Sequence, residues 1–409
     1  LVHARGLNSL SSSCWTMEPS NQIALPAYTL GTRNCKMKVL QLGKFYPIKG
    51  GVEKVMEIFT EGLAERGFAS DMLCASYDGE TTDIVFSEES RIFRTKTLTK
   101  LAATMISPEM IFRLRRICSE YDIIHVHHPD PMATLALFFS GYRGKVVLHW
   151  HSDILKQKFL LRFFSPFQSW LIRRANLILG TTPVYVEESP FLRKVQEKTS
   201  FLPIGVDPYP WLSDEIEAIR AQYPGKKIVF NIGRLVPYKG YHHLIEAMTH
   251  LSDDYVLLIG GDGPLRAELL ALTEKLGLQE RVKFLGFISD KLKPAYFAAC
   301  DVFCLSSTIK TEAYAIVLVE AMSLSRPVVA TKIPESGVSW VNEDGVSGIN
   351  VPVEDAPALA EAIHKICDDP ELWKTYSKGA RRRFYDVFTK DEMINSLINI
   401  YTELLNPSK

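Results

Sequence analysis

From residue 37 onward the chain alternates short, almost wholly apolar runs with longer segments in which apolar positions recur every three or four residues. Short apolar runs bounded by turn formers predict strands buried on both faces, and the longer segments predict helices that cover them. Strands are expected at Met37–Gly43, Asp122–His128, Lys145–His151 and Leu177–Gly180. A helix is expected over Val52–Arg66, closed by Gly67 as a C-terminal cap. The pattern then restarts. Lys226–Gly233, Tyr255–Gly260, Val282–Gly286, Val302–Ser306 and Pro327–Thr331 read as strands. Tyr241–His250, Pro264–Leu276, Lys291–Ala299 and Ile316–Leu324 read as the helices between them. Alternation of this kind predicts an α/β chain of two doubly wound, Rossmann-like units with parallel sheets. The join is placed in the Pro-, Asp- and Trp-bearing stretch 203–224. A final helix, Lys390–Leu405, follows the basic Arg381-Arg382-Arg383 and is expected to pack back on the first unit. The expected divisions are therefore 1–36 as an extension, 37–206, 207–389, and the helical segment 390–409.

Size agrees with this division, because 409 residues exceed one typical core. The formal net charge is +0, so no global field argues for a nucleic-acid partner. The seven cysteines are odd in number and include no C-x-x-C pair, which predicts a reduced, cytoplasmic protein. Cys300 and Cys304 read as apolar strand residues. No run of about eighteen apolar residues predicts a spanning helix. Residues 1–36 lack the charged start and apolar core of a signal peptide. Met37-Lys38-Val39-Leu40 reads as a natural start, and the residues before it as upstream or non-native sequence.

In open parallel sheets ligands sit outside the carboxyl ends of the strands, so two such units facing each other make a cleft. Several motifs fall at those ends. Glu312-Ala-Tyr-Ala-Ile-Val-Leu-Val-Glu320 brackets an apolar run with two carboxylates around a helix start, where free N–H groups and the positive dipole end hold anions or hydroxyls. Gly233-Arg234 with Lys239-Gly240 places a planar guanidinium and an ammonium, both suited to a diphosphate, after the first strand of the second unit. Gly50-Gly51 occupies the matching turn of the first unit and admits a close approach by phosphate or sugar. Gly260-Gly261-Asp262-Gly263-Pro264 reads as a tight turn lining the cleft. His125 with His127, and His149 with His151, share strand faces. Four imidazoles fit a metal site, but only Asp130 and Asp153 stand near in sequence, and a single functional histidine, His151, is the preferred reading. No Asp-x-Asp is present to bridge a metal to a diphosphate. The basic, aromatic stretches 94–116 and 156–174 suit either an anionic membrane surface or helices packed on a sheet.

In their order along the chain these motifs carry a resemblance. They are Gly50-Gly51-Val52-Glu53, Trp150-His151-Ser152-Asp153, Pro203-Ile204-Gly205-Val206-Asp207, Gly233-Arg234-Leu235 with Lys239-Gly240, Gly260-Gly261-Asp262-Gly263-Pro264, and Glu312 with Glu320. The chain resembles the retaining nucleotide-sugar glycosyltransferases of GT-B architecture, family four, from about Met37 to Leu405. The resemblance implies that Arg234 and Lys239 hold the donor diphosphate, Glu320 the ribose, and Glu312 the transferred sugar. It implies backbone contacts to sugar and phosphate from Tyr314, Ala315, Ile316 and Val317. His151 would stand near the reacting carbon, Gly50, Gly51 and Gly261 would line the donor site, and 281–287 would lie near the base. It implies a hexose donor, first GDP-mannose, a saccharide or lipid-linked saccharide acceptor in polysaccharide or lipopolysaccharide assembly, no required metal or cofactor, and peripheral contact with the cytoplasmic membrane. One departure stands out: Ala315 occupies a position where the family usually carries glycine. It keeps open a catalytically degenerate nucleotide-sugar-binding partner, and the histidines keep open an epimerase or hydrolase on the same fold.

Overall fold

The computed structural model describes residues 37–47, 51–101, 104–153 and 158–407, with only the backbone of 158–163. Gly50, Lys156 and the segment 1–36 lie outside the described residues. Along the first half run β1 (Lys38–Tyr46), α1 (Gly51–Glu65), β2 (Ala69–Ser76), β3 (Thr82–Ser87), β4 (Ser90–Thr95), β5 (Thr99–Leu101), β6 (Thr104–Ile106), α2 (Pro108–Ile117), β7 (Ile123–His128), α3 (Pro131–Ser140), β8 (Lys145–Trp150), α4 (Lys158–Arg174), β9 (Leu177–Gly180), α5 (Pro183–Glu188) and β10 (Thr199–Phe201). The second half holds α6 (Ser213–Ala221), β11 (Lys227–Ile232), α7 (Tyr241–Ala247), β12 (Tyr255–Gly260), α8 (Arg266–Lys275), β13 (Val282–Gly286), α9 (Lys293–Ala299), β14 (Val302–Leu305), α10 (Ile316–Ser323), β15 (Val328–Thr331), α11 (Val338–Val341), β16 (Gly348–Val351), α12 (Ala356–Asp368), α13 (Pro370–Val387) and α14 (Lys390–Leu405).

Two sheets result. The first has the order β10-β9-β8-β7-β1-β2-β4-β3, parallel throughout except for the β3–β4 hairpin at its edge. The second, β13-β12-β11-β14-β15-β16, is parallel throughout. Each strand order reverses direction beside its first strand, β1 or β11, and that reversal opens the crevice into which the loops after β1 and β11 lead. The central strands carry side chains buried on both faces, as at Val39, Leu40 and Leu42 or Ile228, Val229 and Phe230.

Four features correct the sequence reading. The edge strands β2 to β4 escape it because β2 contains a buried aspartate, Asp71, which accepts from Tyr121 Oη at 2.7 Å and from Arg91 N at 2.7 Å. The basic stretch 94–116 is helical only in its last part: it comprises the end of β4, the β5–β6 hairpin and α2. Cys300 follows α9 rather than lying in a strand, although it is buried like Cys304. The stretch 203–224 is also less irregular than its composition suggests, since α6 lies within it.

The chain crosses between the two sheets twice, and the crossings are stitched together. Val206 N donates to Phe388 O at 2.9 Å and Lys390 N to Val206 O at 3.1 Å, forming a parallel bridge between Val206 and Thr389. Beyond it, α14 lies against α1 of the first half. Thr389 caps α14 by accepting from Glu392 N, and Lys390 Nζ reaches Glu61 at 3.2 Å. Met393, Ile394, Leu397 and Tyr401 are buried there, each at 2 % exposure or less. Burial of such side chains contributes roughly 1.5–3 kcal/mol apiece, far more than the exposed ion pairs around them.

Candidate active site

The loop after β11 and the start of α10 meet at the mouth of the second sheet. Lys239 forms an ion pair with Glu312, with both side chains about nine-tenths buried (12 % and 11 % exposed). Glu312 also accepts from Ser307 Oγ at 2.9 Å, and Ser306 Oγ donates to the Lys239 carbonyl at 3.0 Å. Arg234 differs: it is exposed and has no partner among the described residues. It lines an open depression of about 560 Å³ together with Pro237, Tyr238, His242, Thr308 and Glu354. The Arg234 guanidinium, beside an ammonium held in place by Glu312, offers a fork of donors that suits an anionic ligand with several oxygens.

Ala315 is the residue just before α10 and sits at φ 62°, ψ 71°. That is the left-handed region, where a Cβ costs roughly 1–2 kcal/mol. Its methyl cannot cap, so the first N–H groups of α10, those of Ile316 and Val317, lack intrahelical acceptors and the dipole end is open. Ala315→Gly is expected to release the strain, less the roughly 0.5–1 kcal/mol entropy that glycine loses on folding. A melting temperature raised by about 1 °C is the expected reading. A fall of more than about 2 °C would mean that packing of the methyl outweighs the strain.

The other residues of this motif divide between the cleft and the scaffold. The Tyr314 side chain is turned inward. Its hydroxyl donates to the Ile204 carbonyl at 2.8 Å, and its ring meets Phe388 edge-on, so it ties α10 to the crossing segment. Glu320 is 8 % exposed and accepts from Tyr209 Oη at 2.6 Å and Lys293 Nζ at 3.0 Å. Burial opposes the Lys293 charge, but Glu320 and Asp290 more than offset it and hold the ammonium above its ordinary range. Sequence reasoning missed Tyr209 and Lys293. Tyr209 stands two places after Asp207 of a motif already singled out, whereas Lys293 had no signal in sequence.

Gly261 serves the scaffold. It has φ +106°, and a Cβ there would fall 2.1 Å from the Gly233 carbonyl, so the turn after β12 presses directly on the Arg234 loop. Arg281 is a correction. Its guanidinium donates to the Leu251 and Ser252 carbonyls at 2.9 and 2.7 Å, at the end of the sheet away from the cleft. Gly286 and Phe287, the latter 86 % exposed, lie at and just beyond the carboxyl end of β13, on the side of the cleft.

From the first half, Gly51 opens α1, and His151 stands just past the carboxyl end of β8. His151 is 7 % exposed. His125, His127 and His149 are fully buried beneath it, next to Phe59. His127, His149 and His151 each bring a ring nitrogen within 4.8 Å of the others. Burial, followed by the neighbouring imidazoles, holds His127 and His151 well below the ordinary histidine range, and burial alone takes His149 to about 3. Asp153 and Asp130 are otherwise engaged. Asp153 accepts from Trp150 Nε1 at 2.8 Å and Ser189 Oγ at 2.9 Å, and Asp130 caps α3. Lys310 reaches across from the second half to Asp153 at 3.5 Å while pairing with Glu335 at 2.7 Å.

In the stretch 156–174, Leu171 and Ile172 are buried and Arg174 donates to the Tyr142 and Gly144 carbonyls, so this part of α4 packs on the sheet. Phe138 and Phe139 at the end of α3 remain 40 % and 51 % exposed.

Comparison with known proteins places these features. The profile described as Glycosyltransferase Family 4 matches residues 49–209, and that described as Glycosyl transferases group 1 matches residues 213–383. The O-antigen chain mannosyltransferase C of Escherichia coli is 33% identical over 372 residues, covering 90% of this chain and 99% of the relative. The D-rhamnosyltransferase WbpZ of Pseudomonas aeruginosa is 30% identical over 359 residues, covering 86% and 92%. Among solved structures, Anabaena HepE in complex with UDP superposes with a TM-score of 0.72 at 24% identity, covering 90% of this chain and 100% of that one. The lipopolysaccharide glycosyltransferase WaaG superposes at 0.63 and 18% identity, covering 91% and 100%. These structures share the two-sheet GT-B fold.

Proposed function

This chain belongs to the group 1, family 4 glycosyl transferases of lipopolysaccharide and polysaccharide synthesis, and we propose that it moves a hexose from a nucleoside diphosphate sugar to a saccharide hydroxyl with retention of configuration. The observation that carries this reading is the cluster of Arg234, Lys239, Glu312 and the open α10 N-terminus at one mouth. As the sugar–phosphate bond breaks, charge grows on the leaving diphosphate. Arg234, Lys239 and the helix dipole stand where they stabilise it. Glu312 is then free to accept from hydroxyls of the transferred sugar, and Glu320 from the ribose. The acceptor hydroxyl attacks on the face the diphosphate leaves, and its proton passes to the departing phosphate oxygen. Closure around the donor excludes water and limits hydrolysis.

GDP-mannose is the preferred donor because two relatives are named mannosyltransferases, the Escherichia coli enzyme and the phosphatidyl-myo-inositol mannosyltransferase of Mycobacterium leprae, the latter 29% identical. A lipid-linked saccharide at the cytoplasmic face of the membrane is the proposed acceptor. No helix among the described residues is long and apolar enough to cross a membrane. The contact is assigned to the exposed Phe138 and Phe139 at the end of α3, where Phe138 meets Phe167 and Trp170 of α4. Replacing both phenylalanines by serine should reduce cosedimentation with anionic vesicles at unchanged melting temperature, and undiminished cosedimentation would remove this surface from the reading.

Protein cations, rather than a metal, are proposed to neutralise the diphosphate. Turnover should therefore survive exhaustive chelation, and the sugar should keep its donor anomeric configuration by NMR of the product. Activity lost to chelation and restored by a divalent cation, or an inverted product, would contradict this mechanism.

A further inference from the structure

One chain of hydrogen bonds joins α14 to the cleft through Gln41, His127 and His151, with His125 at its α14 end. Tyr401 Oη lies 2.5 Å from His125 Nδ1, and Gln41 Nε2 donates to Tyr401 Oη at 3.4 Å. Gln41 Oε1 lies 2.9 Å from His127 Nε2, and His127 Nδ1 lies 2.9 Å from His151 Nε2. With the Gln41 amide nitrogen turned to Tyr401 and its oxygen to His127, the oxygen only accepts, so in this arrangement His127 carries its proton on Nε2. A neutral imidazole has one N–H, so His127 Nδ1 must accept and His151 must donate from Nε2. His151 Nδ1 is left as a bare acceptor. It has no partner among the described residues and, unlike both nitrogens of His149, is not sealed from solvent.

We propose that Gln41, oriented by Tyr401, fixes His151 as the Nε2–H tautomer, so that the cleft meets a hydrogen-bond acceptor at Nδ1. Gln41 lies on β1 and Tyr401 on α14, and both are fully buried, so they are positioning residues that touch no substrate. Their consequence for transfer rests on the functional reading above: His151 accepts from a sugar or acceptor hydroxyl and cannot donate to the leaving group. The same rings oppose a metal. His127 and His151 lie 13° from coplanar with nitrogens in line, as for a shared proton. His149 stacks on the face of His151 at 4.1 Å and 3°, so its lone pairs, confined to its own ring plane, do not converge on an ion between the other two.

The test is long-range ¹H–¹⁵N correlation of the full chain carrying ¹⁵N-histidine, with His151 assigned by the signals lost in His151→Gln. The wild-type protein should show a protonated Nε2 and a lone-pair Nδ1 on His151. Gln41→Met, and Tyr401→Phe through release of the amide, should give a tautomer mixture. Each should lower kcat by about tenfold with donor KM changed by less than about twofold. A proton on Nδ1 in the wild type, an unchanged tautomer in Gln41→Met, or stoichiometric zinc binding that removes the His151 N–H signal would overturn the proposal. A fixed Nε2–H tautomer in a protein that transfers no sugar would support the relay while counting against the functional reading, so the two fail separately.

Discussion

Lys239→Ala is expected to lower kcat by about 10²- to 10³-fold, the usual cost of removing one group aimed at developing charge. Lys239 is tethered: Glu312 pairs with it, and the Ser306–Lys239 hydrogen bond fixes the backbone from which it projects. Pre-positioning matters because charge on the leaving diphosphate exists only near the transition state, so a group already in place incurs no reorganisation at that moment. The loss should therefore fall on kcat more than on KM. Stability should move as well, because Glu312 would stay nine-tenths buried with its charge uncompensated. The double variant Lys239→Ala/Glu312→Ala should recover melting temperature without recovering turnover. Steady-state kinetics and melting curves of the three variants check this, and Lys239→Ala with wild-type kcat would remove the lysine from the site.

Gly205→Ala should destabilise the protein by about 3 kcal/mol. A Cβ at Gly205 would lie 2.2 Å from the Thr389 carbonyl and 2.9 Å from Lys390 N, and both neighbours are backbone. Neither can rotate aside as a flexible side chain would. Moving them opens the Val206–Thr389 bridge, the point where both chain crossings meet, and next to it Tyr314 holds α10 through Ile204. The damage should thus reach the donor mouth as well as the fold, appearing as a lower unfolding midpoint in urea and a weaker nucleotide-induced shift. An unchanged midpoint would mean that the crossing yields and does not set the geometry of the cleft.

Much of this was legible in sequence where burial and chain period agree. The central strands β1, β7, β8, β11, β12 and β14 are mostly apolar, with polar residues such as Gln41, His125 and Asn231 buried among them, and each lies within a few residues of its expected place. Legibility fails where tertiary partners reverse a local preference. Asp71 inside β2 reads as a loop residue until Tyr121 and Arg91 are seen to satisfy it. Arg281 belongs to a segment expected near the base until its bonds to two carbonyls at the far end of the sheet are seen. The site divides similarly. Arg234, Lys239, Glu312 and Glu320 announce themselves by charge next to glycine and a helix start. The partners that hold them, Lys293 and Tyr209 on Glu320 and Tyr401 behind His151, come from segments distant in sequence, and no local pattern reports such contacts. Ala315 is the converse case. It stands where the resembled motif carries glycine, and the backbone adopts a positive φ there despite the methyl.

The central claim is that the mouth formed by Arg234, Lys239, Glu312 and α10 receives a nucleoside diphosphate. Thermal unfolding with GDP, UDP, ADP and dTDP in the presence of a chelator, on the wild-type protein and on Arg234→Ala, tests it most directly. A ligand at about 100 times its dissociation constant adds roughly 2.7 kcal/mol to native stability. The account predicts such a stabilisation by GDP without metal and its loss in Arg234→Ala. Absence of a shift with any of the four nucleotides, or a shift that Arg234→Ala leaves intact, would contradict it.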